Sequence, residues 1–275
     1  MKLALYSREG DALKDNRLSF MLERLEKDSF ELCGVSGGER IPSGTDMVLS
    51  VGGDGTFLSA SQLVGESGIP VLGVNLGRLG FLSEYSPEEA CNALLSGDWF
   101  LEDRELLKTV PSAKTLAADQ QFWPYTLNEV SVHRSGAALL GIDVTIDGHV
   151  LPTYWADGLL VATSSGSTAY SLSVGGPICA PESKVLIISP IAPHNLNARP
   201  LVVPDSTMIS LSMRSRDERV MLSMDNRNHL VPPSLTLDVK VAQFSLRRVR
   251  LKNTSFIKAL TTKLFWGEDI RNSGE

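Results

Sequence analysis

Hydrophobic and polar positions along the first hundred residues alternate in a way that predicts strands and helices in turn. Short apolar runs of strand length are separated by longer segments whose apolar residues recur at helical spacing. The predicted strands are 3–6, 31–35, 47–51 and 71–74, and the predicted helices are 13–27, 56–64 and 87–95. Such an alternation predicts an α/β domain with a parallel sheet and helices on its faces.

The pattern changes after residue 100, where short stretches alternate apolar and polar residues between Gly, Pro, Asn and Asp turns. This predicts an all-β region, with strands at 125–133, 141–146, 184–188, 208–213 and 235–241. Near the end, Phe256, Leu260 and Leu264 recur four residues apart, which predicts a helix over 254–265. We therefore expect an α/β domain over 1–100, completed by 254–275, and a β-rich domain over 101–253. The C-terminal helix should return to the first domain.

Glycines follow one predicted strand and enclose a single carboxylate, in the run 52–56 with the sequence Gly-Gly-Asp-Gly-Thr. An apolar strand that ends in glycines before a helix forms a turn whose backbone N–H groups can hold phosphate. A carboxylate in such a turn repels phosphate, so Asp54 needs another role. It could bind Mg²⁺, accept a proton from an attacking hydroxyl, or cap the following helix. Residues 75–80 also follow a strand, and since ligands bind beyond such strand ends, we expect both loops to converge on one crevice.

A second cluster of small and hydroxyl-bearing residues lies between Asp157 and Pro177. A flexible linker would share this richness in Ser and Gly, but apolar residues precede and interrupt the cluster, which favours an ordered binding loop. Its hydroxyls can bind ribose, carboxamide and phosphate, and Tyr170 offers a ring for stacking. Asn128 and Glu129 form a further candidate pair, because an amide and a carboxylate can bind adenine edges and ribose hydroxyls. Alternatively, one of the two side chains faces outward, and a neighbouring group forms the hydrogen bonds of the other.

Composition narrows the class of protein. The chain has 275 residues, a formal net charge of −6 and a sequence pI near 5.3, which argues against a nucleic-acid-binding protein. No apolar run reaches the length of a membrane span or of a signal-peptide core. The cysteines form no CxxC pair, and the histidines show no metal-ligand spacing. We therefore expect a cytoplasmic protein without a nucleic-acid or membrane partner and without a structural metal.

These motifs together resemble those of the NAD kinase family. The resemblance rests on four segments: 52–56; 75–82, Asn-Leu-Gly-Arg-Leu-Gly-Phe-Leu; Asn128-Glu129; and Asp157-Gly158 followed by Gly-Ser-Thr-Ala-Tyr at 166–170 and Gly-Gly-Pro at 175–177. Gly-Gly-Asp-Gly alone is shared with lipid kinases and, loosely, with phosphofructokinases, whereas Gly-Ser-Thr-Ala-Tyr is much more specific. The ending 263–269 is similar to the family's carboxyl-terminal helix and tail.

The resemblance implies transfer of the γ-phosphate of ATP, with Mg²⁺, to the 2′-hydroxyl of the adenosine ribose of NAD, which gives NADP. Asp54 would be the catalytic base. By similarity Gly55 and its loop would hold the diphosphate, while Asn128 and Glu129 would meet the adenosine half of NAD. The implied site comprises Asp54, Gly55, Phe81, Asn128, Glu129, Asp157, Ser165, Thr168, Ala169, Tyr170, Ser171, Leu172, Ser173 and Ala192. Family members are generally homodimers or homotetramers, so we expect an oligomer.

Two segments depart from the family's pattern. Asp225-Asn226-Arg227 stands where many members have an Asp-Gly turn, and Ser164-Ser165 replaces a proline-containing pair. We expect neither departure to touch the main motifs.

Two alternative functions follow from the same residues. A lipid or sphingoid-base kinase of related fold would need an apolar acceptor groove or a membrane-facing patch, and the sequence shows no basic amphipathic helix to support one. A non-catalytic dinucleotide sensor would keep the pocket without the chemistry, and the intact Asp54 argues against it.

Overall fold

The computed structural model of the chain describes residues 1–8, 15–77, 80–111, 122–252 and 254–266. Four predicted features therefore lie partly outside the described residues: the start of the helix at 13–27, Arg78 and Leu79 of the 75–82 motif, Asn253 at the predicted domain boundary, and 267–269 of the ending. No helix within the described ranges is both long and apolar enough to cross a membrane.

The elements of the first part of the chain are β1 (Lys2–Tyr6), α1 (Asn16–Lys27), β2 (Glu31–Val35), β3 (Met47–Val51), α2 (Asp54–Val64), β4 (Val71–Val74), α3 (Pro87–Ser96) and β5 (Trp99–Pro111). Those that follow are β6 (Tyr125–Thr126), β7 (Glu129–Arg134), β8 (Leu140–Ile146), β9 (His149–Val150), β10 (Tyr154–Ala156), β11 (Gly158–Thr163), α4 (Tyr170–Ser173), β12 (Val185–Ile191), β13 (Leu201–Pro204), β14 (Ile209–Arg214), β15 (Val220–Met224), β16 (Arg227–Val231), β17 (Thr236–Leu251) and α5 (Phe256–Leu264). Short 3-10 turns lie at Gly65–Ser67 and Ser165–Thr168.

The chain divides into two compact units. The terminal unit comprises Met1–Asp103 and Leu246–Glu275, and the central unit comprises Arg104–Ser245. The end of β17 and all of α5 belong to the terminal unit, which confirms that the C-terminal helix returns to the first part of the fold. The sequence-based domain limits at 100 and 254 stay a prediction.

The terminal unit is built on a parallel sheet, as predicted. Its strand order is β2-β1-β3-β4, and the end of β17 adds beside β4 where Arg248 pairs with Val71. β3 and β4 are buried along their whole length, because helices cover parallel sheets on both faces. Helix α3 shows how local sequence fixes an element: Pro87 is its first residue, Ser86 and Glu89 form a capping box, and Gly97 ends it.

The central unit is rich in antiparallel strands. Six of them form a sheet in the order β13-β12-β11-β7-β15-β16, and a second antiparallel set contains β10, β8, β14 and the first half of β17. Alternate residues of the two sets share one apolar core, which includes Val132, Ile142, Val161, Ile188 and Leu211. Within the described residues of the central unit, the all-β prediction therefore holds except for the 3-10 turn at Ser165–Thr168 and the single turn of α4.

Candidate active site

The glycine-rich turn of the terminal unit joins β3 to α2. Gly52 has a φ of 145°, and a Cβ there would lie 2.5 Å from Oγ1 of Thr56, so only glycine fits this turn without strain. Helix α2 begins at Asp54 itself, two residues earlier than predicted, and its N-cap is Gly53. Asp54 is therefore not the cap of this helix, which removes one of the three roles that the sequence left open.

The Asp54 carboxylate instead binds the backbone of the segment after β4. Its Oδ2 accepts the N–H of Phe81 at 2.8 Å, and its Oδ1 accepts the N–H groups of Leu82 at 3.0 Å and Ser83 at 2.9 Å. We call residues 80–83 the acceptor segment. The two loops after β3 and β4 therefore meet, as predicted, and they meet through the side chain of Asp54.

Gly80 permits this close approach. A Cβ on Gly80 would lie 1.9 Å from Oδ1 of Asp54 and 2.6 Å from its Oδ2, which no side chain can tolerate. The loop ahead of it is held by Asn75, whose amide donates to the Ser83 carbonyl at 3.0 Å and accepts the Gly77 N–H at 2.7 Å. Gly80 and Asn75 thus bring the segment after β4 close to one carboxylate.

A cation lies beside the same turn. A Cβ on Gly55 would be 3.5 Å from Nη1 of Arg8, an exposed side chain that follows β1. The parallel order β1-β3-β4 explains this, because the carboxyl ends of parallel strands open on one edge of the sheet. The sequence reasoning missed Arg8, although its position just after an apolar strand was a usable signal.

In the central unit, Asp225 organises the Asn128-Glu129 pair. Its carboxylate accepts the backbone N–H groups of Leu127 at 2.8 Å, Asn128 at 2.9 Å and Glu129 at 3.2 Å. The segment 225–227 therefore contacts a main motif through Asp225, the residue that it shares with the family's Asp-Gly turn. The expectation about the departing residues themselves stays a prediction. These bonds also explain why the predicted strand 125–133 is interrupted between β6 and β7, since the N–H groups at the interruption bond to a side chain rather than to a neighbouring strand.

Glu129 is a buried carboxyl without a full set of partners. Among the described residues, its Oε2 has no hydrogen-bond partner. Burial and the nearby Asp225 raise the pKa of Glu129 to about 8. Burial also raises the pKa of Asp225, but three backbone N–H groups favour its ionised form. With a pKa of about 8, Glu129 keeps its proton near neutral pH, while the three N–H groups stabilise the carboxylate of Asp225.

The loop after β11 packs directly on Asn128. A Cβ on Gly166 would lie 2.2 Å from the Asn128 carbonyl oxygen, and the Thr163 hydroxyl donates to the Leu127 carbonyl at 2.6 Å while accepting the Gly166 N–H at 3.1 Å. The segment 157–177 is thus ordered, with β11, a 3-10 turn and α4, and is not a linker. Its Ser167 hydroxyl accepts the Cys179 N–H at 3.0 Å, so part of the predicted hydroxyl cluster stabilises the loop itself.

The predicted binding residues of this loop differ in exposure. Ser165 and Thr168 lie half-buried in the 3-10 turn, and Ala169 precedes α4. Within α4, Tyr170 and Ser173 are exposed, Leu172 is half-buried, and Ser171 is fully buried. Gly176 covers Ser171, because a Cβ on Gly176 would lie 2.2 Å from its Oγ. Any direct contact of Ser171 with a ligand would therefore need its backbone or a shift of this loop.

An aromatic pair and an ion pair lie close to the same loop. The Tyr170 ring stacks on His133 with ring centres 5.8 Å apart, and burial lowers the pKa of His133, which favours its neutral form. Asp157 accepts from Nε of Arg134 at 2.6 Å. His133 and Arg134 were not among the predicted site residues, and Asp225 was noted only in a departure from the family's pattern. Contacts between distant segments give these residues their place near the loop.

Ala192 follows β12 with a φ of 46°, a left-handed conformation that is strained for a residue with a Cβ. It lies next to Asp157, whose N–H donates to the Ile191 carbonyl at 3.0 Å. Backbone strain of this kind concentrates at functional sites.

Two domain models of one protein family match this chain. Residues 26–96 match the ATP-NAD kinase N-terminal domain, and residues 127–251 match the ATP-NAD kinase C-terminal domain. The chain belongs to the NAD kinase family. A curated NAD kinase from Bacteroides fragilis strain ATCC 25285 is 38% identical over 293 residues, which cover 98% of this chain and 100% of that protein. One from Cytophaga hutchinsonii is 43% identical over 231 residues, 82% of this chain and 78% of that protein.

Two solved structures of NAD or NADH kinases share the fold. An Archaeoglobus fulgidus NAD kinase in complex with ATP superimposes with a TM-score of 0.77 at 25% identity, over 96% of this chain and 99% of that one. Yeast NADH kinase complexed with NADH superimposes with a TM-score of 0.83 at 22% identity, over 99% of this chain and 89% of that one.

Within the described ranges, no group of three or more His, Cys, Asp or Glu side chains is arranged so that it could hold a metal ion.

Proposed function

We propose that this chain transfers the γ-phosphate of ATP to the 2′-hydroxyl of the adenosine ribose of NAD, with Asp54 as the general base. Membership of the NAD kinase family supports the reaction, and the geometry of Asp54 supports its role. Phosphoryl transfer needs in-line positioning and stabilisation of charge more than covalent participation of the protein. A carboxylate that is held rigidly and can still accept one more hydrogen bond can position the attacking hydroxyl.

The hydrogen-bond count at Asp54 carries this proposal. A carboxylate offers about four acceptor positions, and the acceptor segment occupies two on Oδ1 and one on Oδ2. Counted over the described residues, the half-buried carboxylate thus retains one position on Oδ2 for the ribose hydroxyl. The bound amides fix the direction of that position, so Asp54 can orient the hydroxyl and accept its proton as the oxygen attacks phosphorus.

The phosphates of ATP would meet the turn 52–55 and the N-terminus of α2. Backbone N–H groups and the helix dipole favour negative charge there, and Arg8 adds a cation beside Gly55. We propose that Mg²⁺ arrives with ATP, because Mg²⁺ in such sites is held mainly by substrate phosphates with one or two carboxylates. When bound, it would neutralise the phosphate charge.

In the central unit, Asn128 and Glu129 would meet the adenosine half of NAD. When Glu129 is protonated, its carboxyl group can donate a hydrogen bond, whereas an ionised carboxylate can only accept hydrogen bonds. The exposed Tyr170 ring, backed by His133, offers a flat surface for a base or for nicotinamide. Asp157, Ser165, Thr168, Ala169, Ser171, Leu172, Ser173 and Ala192 complete the proposed binding residues.

Two further properties are proposed from the family resemblance and the composition. Family resemblance supports a homodimer or homotetramer, and the cysteine usage supports a cytoplasmic location.

The test is NADP formation from NAD and Mg-ATP by the purified protein, measured with a coupled NADP-specific dehydrogenase. In parallel, the melting temperature is measured with NAD and with a sphingoid base, since a ligand that binds only the folded state raises it. We expect NADP to form and only NAD to stabilise the protein. Stabilisation by lipid would favour the lipid kinase, and stabilisation by NAD without NADP formation would favour the sensor.

A further inference from the structure

The acceptor segment is held from two sides. Asp54 binds its N–H groups, as described above, while two cations bind its carbonyl oxygens. Nη2 of Arg248 donates to the carbonyls of Phe81 and Leu82, each at 2.9 Å, and Nζ of Lys263 donates to the carbonyl of Gly80. A peptide segment held at both its donors and its acceptors has little freedom to turn, so its amides point steadily at Asp54.

Lys263 is held in place by its own neighbours. Its Nζ lies 3.1 Å from Glu84, which also pairs with Arg248 at 3.0 Å and with Arg250 at 3.5 Å. Lys263 and Glu84 are only 9% and 8% exposed. The Lys263 ammonium also lies 4.9 Å from the centre of the Phe81 ring, a favourable cation–π distance.

Among the described residues, the charges around the acceptor segment balance only when Asp54 is included. Three cations, Arg248, Arg250 and Lys263, surround the largely buried carboxylates of Glu84 and Glu102. Burial lowers the pKa of Lys263. The negative charge of Glu84, and to a smaller extent that of Asp54, acts in the opposite direction because it favours the charged ammonium. Removing the Lys263 charge would leave a buried cluster with a surplus of carboxylate, which is costly in a protein interior.

Lys263 comes from α5, a nine-residue helix in which only Ala259 and Leu260 are buried. So small an apolar contact gives little packing energy, and the polar contacts of Lys263 therefore have a large share in fixing the last turn of the helix.

We propose that Lys263 is a positioning residue for phosphoryl transfer: through the Gly80 carbonyl, Glu84 and the Phe81 ring, it holds the acceptor segment and thereby the Asp54 carboxylate. This inference rests on the proposed function. It gives the C-terminal helix a role in the reaction, although Lys263 need not touch either substrate. Loss of the contact should lower kcat and leave the KM values for NAD and ATP nearly unchanged.

The test compares Lys263→Met with Lys258→Met, the same change at an exposed position of the same helix. Hydrogen exchange is measured by mass spectrometry on a peptide that contains residues 80–83, and kcat and KM are measured for both substrates. In Lys263→Met we expect the three amides bound by Asp54 to exchange at least about tenfold faster. We also expect kcat to fall by about 10-fold to 100-fold, because a displacement of about 1 Å at a reacting group can cost 10²-fold. Lys258→Met should match the wild type, and Lys263→Arg should recover much of the loss.

Three results would overturn the proposal: unchanged exchange, unchanged kcat in the folded variant even if its melting temperature falls, or an effect confined to the KM for ATP. Should Lys263→Met fail to fold, Lys263→Gln replaces it, since it keeps an N–H donor and loses the charge, and the same results overturn the proposal there. A wild-type protein that makes no NADP would refute the proposed function, while the exchange data would still decide whether Lys263 holds the acceptor segment.

Discussion

Replacement of Gly80 by alanine tests the contact on which Asp54 depends. The new Cβ would lie 1.9 Å from Oδ1, so the carboxylate or the segment must move by about 1.5 Å to reach ordinary van der Waals contact. Such a movement breaks the hydrogen bonds from the backbone N–H groups to Asp54, which are now 2.8 to 3.0 Å long. Gly77→Ala is the matched control, because a Cβ on Gly77 meets no atom within 4 Å.

The expected magnitudes follow from those contacts. A hydrogen bond to a charged group contributes about 1.5–3 kcal/mol, and water can replace part of the three lost bonds in this half-buried site. We expect Gly80→Ala to lower the free energy of unfolding by roughly 2–4 kcal/mol. Since a displacement of about 1 Å in a catalytic group costs up to 10²-fold, kcat should fall on the order of 10²-fold. Gly77→Ala should leave both quantities close to wild type.

The assay combines urea unfolding with the coupled measurement of NADP formation at saturating NAD and ATP. Wild-type kcat and wild-type stability in Gly80→Ala would refute the reasoning, because they would mean that the enzyme functions without the close approach of Asp54 to the acceptor segment.

Two further predictions concern protons and metal. Because burial raises the pKa of Glu129 to about 8, the folded state keeps a proton that the unfolded state releases above its ordinary pKa of 4.5. The free energy of unfolding should therefore fall as the pH rises between these values, and this group contributes at most about 1.4 kcal/mol per pH unit to the fall. Urea titrations at pH 5.5, 6.5 and 7.5 should show a flatter slope for Glu129→Gln than for the wild type. An equal slope in both proteins would mean that Glu129 does not hold this proton. Excess chelator should abolish NADP formation and added Mg²⁺ should restore it, whereas persistent turnover in chelator would show that the proposed Mg²⁺ is not needed.

The sequence predicted well those elements that local pattern determines. The strands 31–35, 47–51 and 71–74 match β2, β3 and β4 residue for residue. β3 and β4 are wholly buried, and a strand in the middle of a parallel sheet is recognisable as an apolar run bounded by polar residues. The glycine turn was recognisable too, because a strand, glycines and a helix follow one another directly in the chain.

Contacts between distant residues could not be predicted in this way. Asp225 binds the N–H of Asn128, 97 positions away along the chain, and Lys263 binds the carbonyl of Gly80, 183 positions away. No local periodicity encodes such pairs. The family resemblance implied Asp54 as the base. Only the fold shows which N–H groups orient Asp54 and which cations bind the carbonyls of the same segment.

The most direct test of the account is NADP formation by the wild-type protein and by Asp54→Asn, side by side, together with their affinities for NAD. The asparagine keeps the shape of the side chain but cannot act as a base, and its amide group cannot accept one of the three N–H groups. The account predicts NADP from the wild type, a fall in kcat of about 10² to 10⁴-fold in the variant, and nearly unchanged NAD affinity. Turnover by Asp54→Asn close to that of the wild type would contradict it.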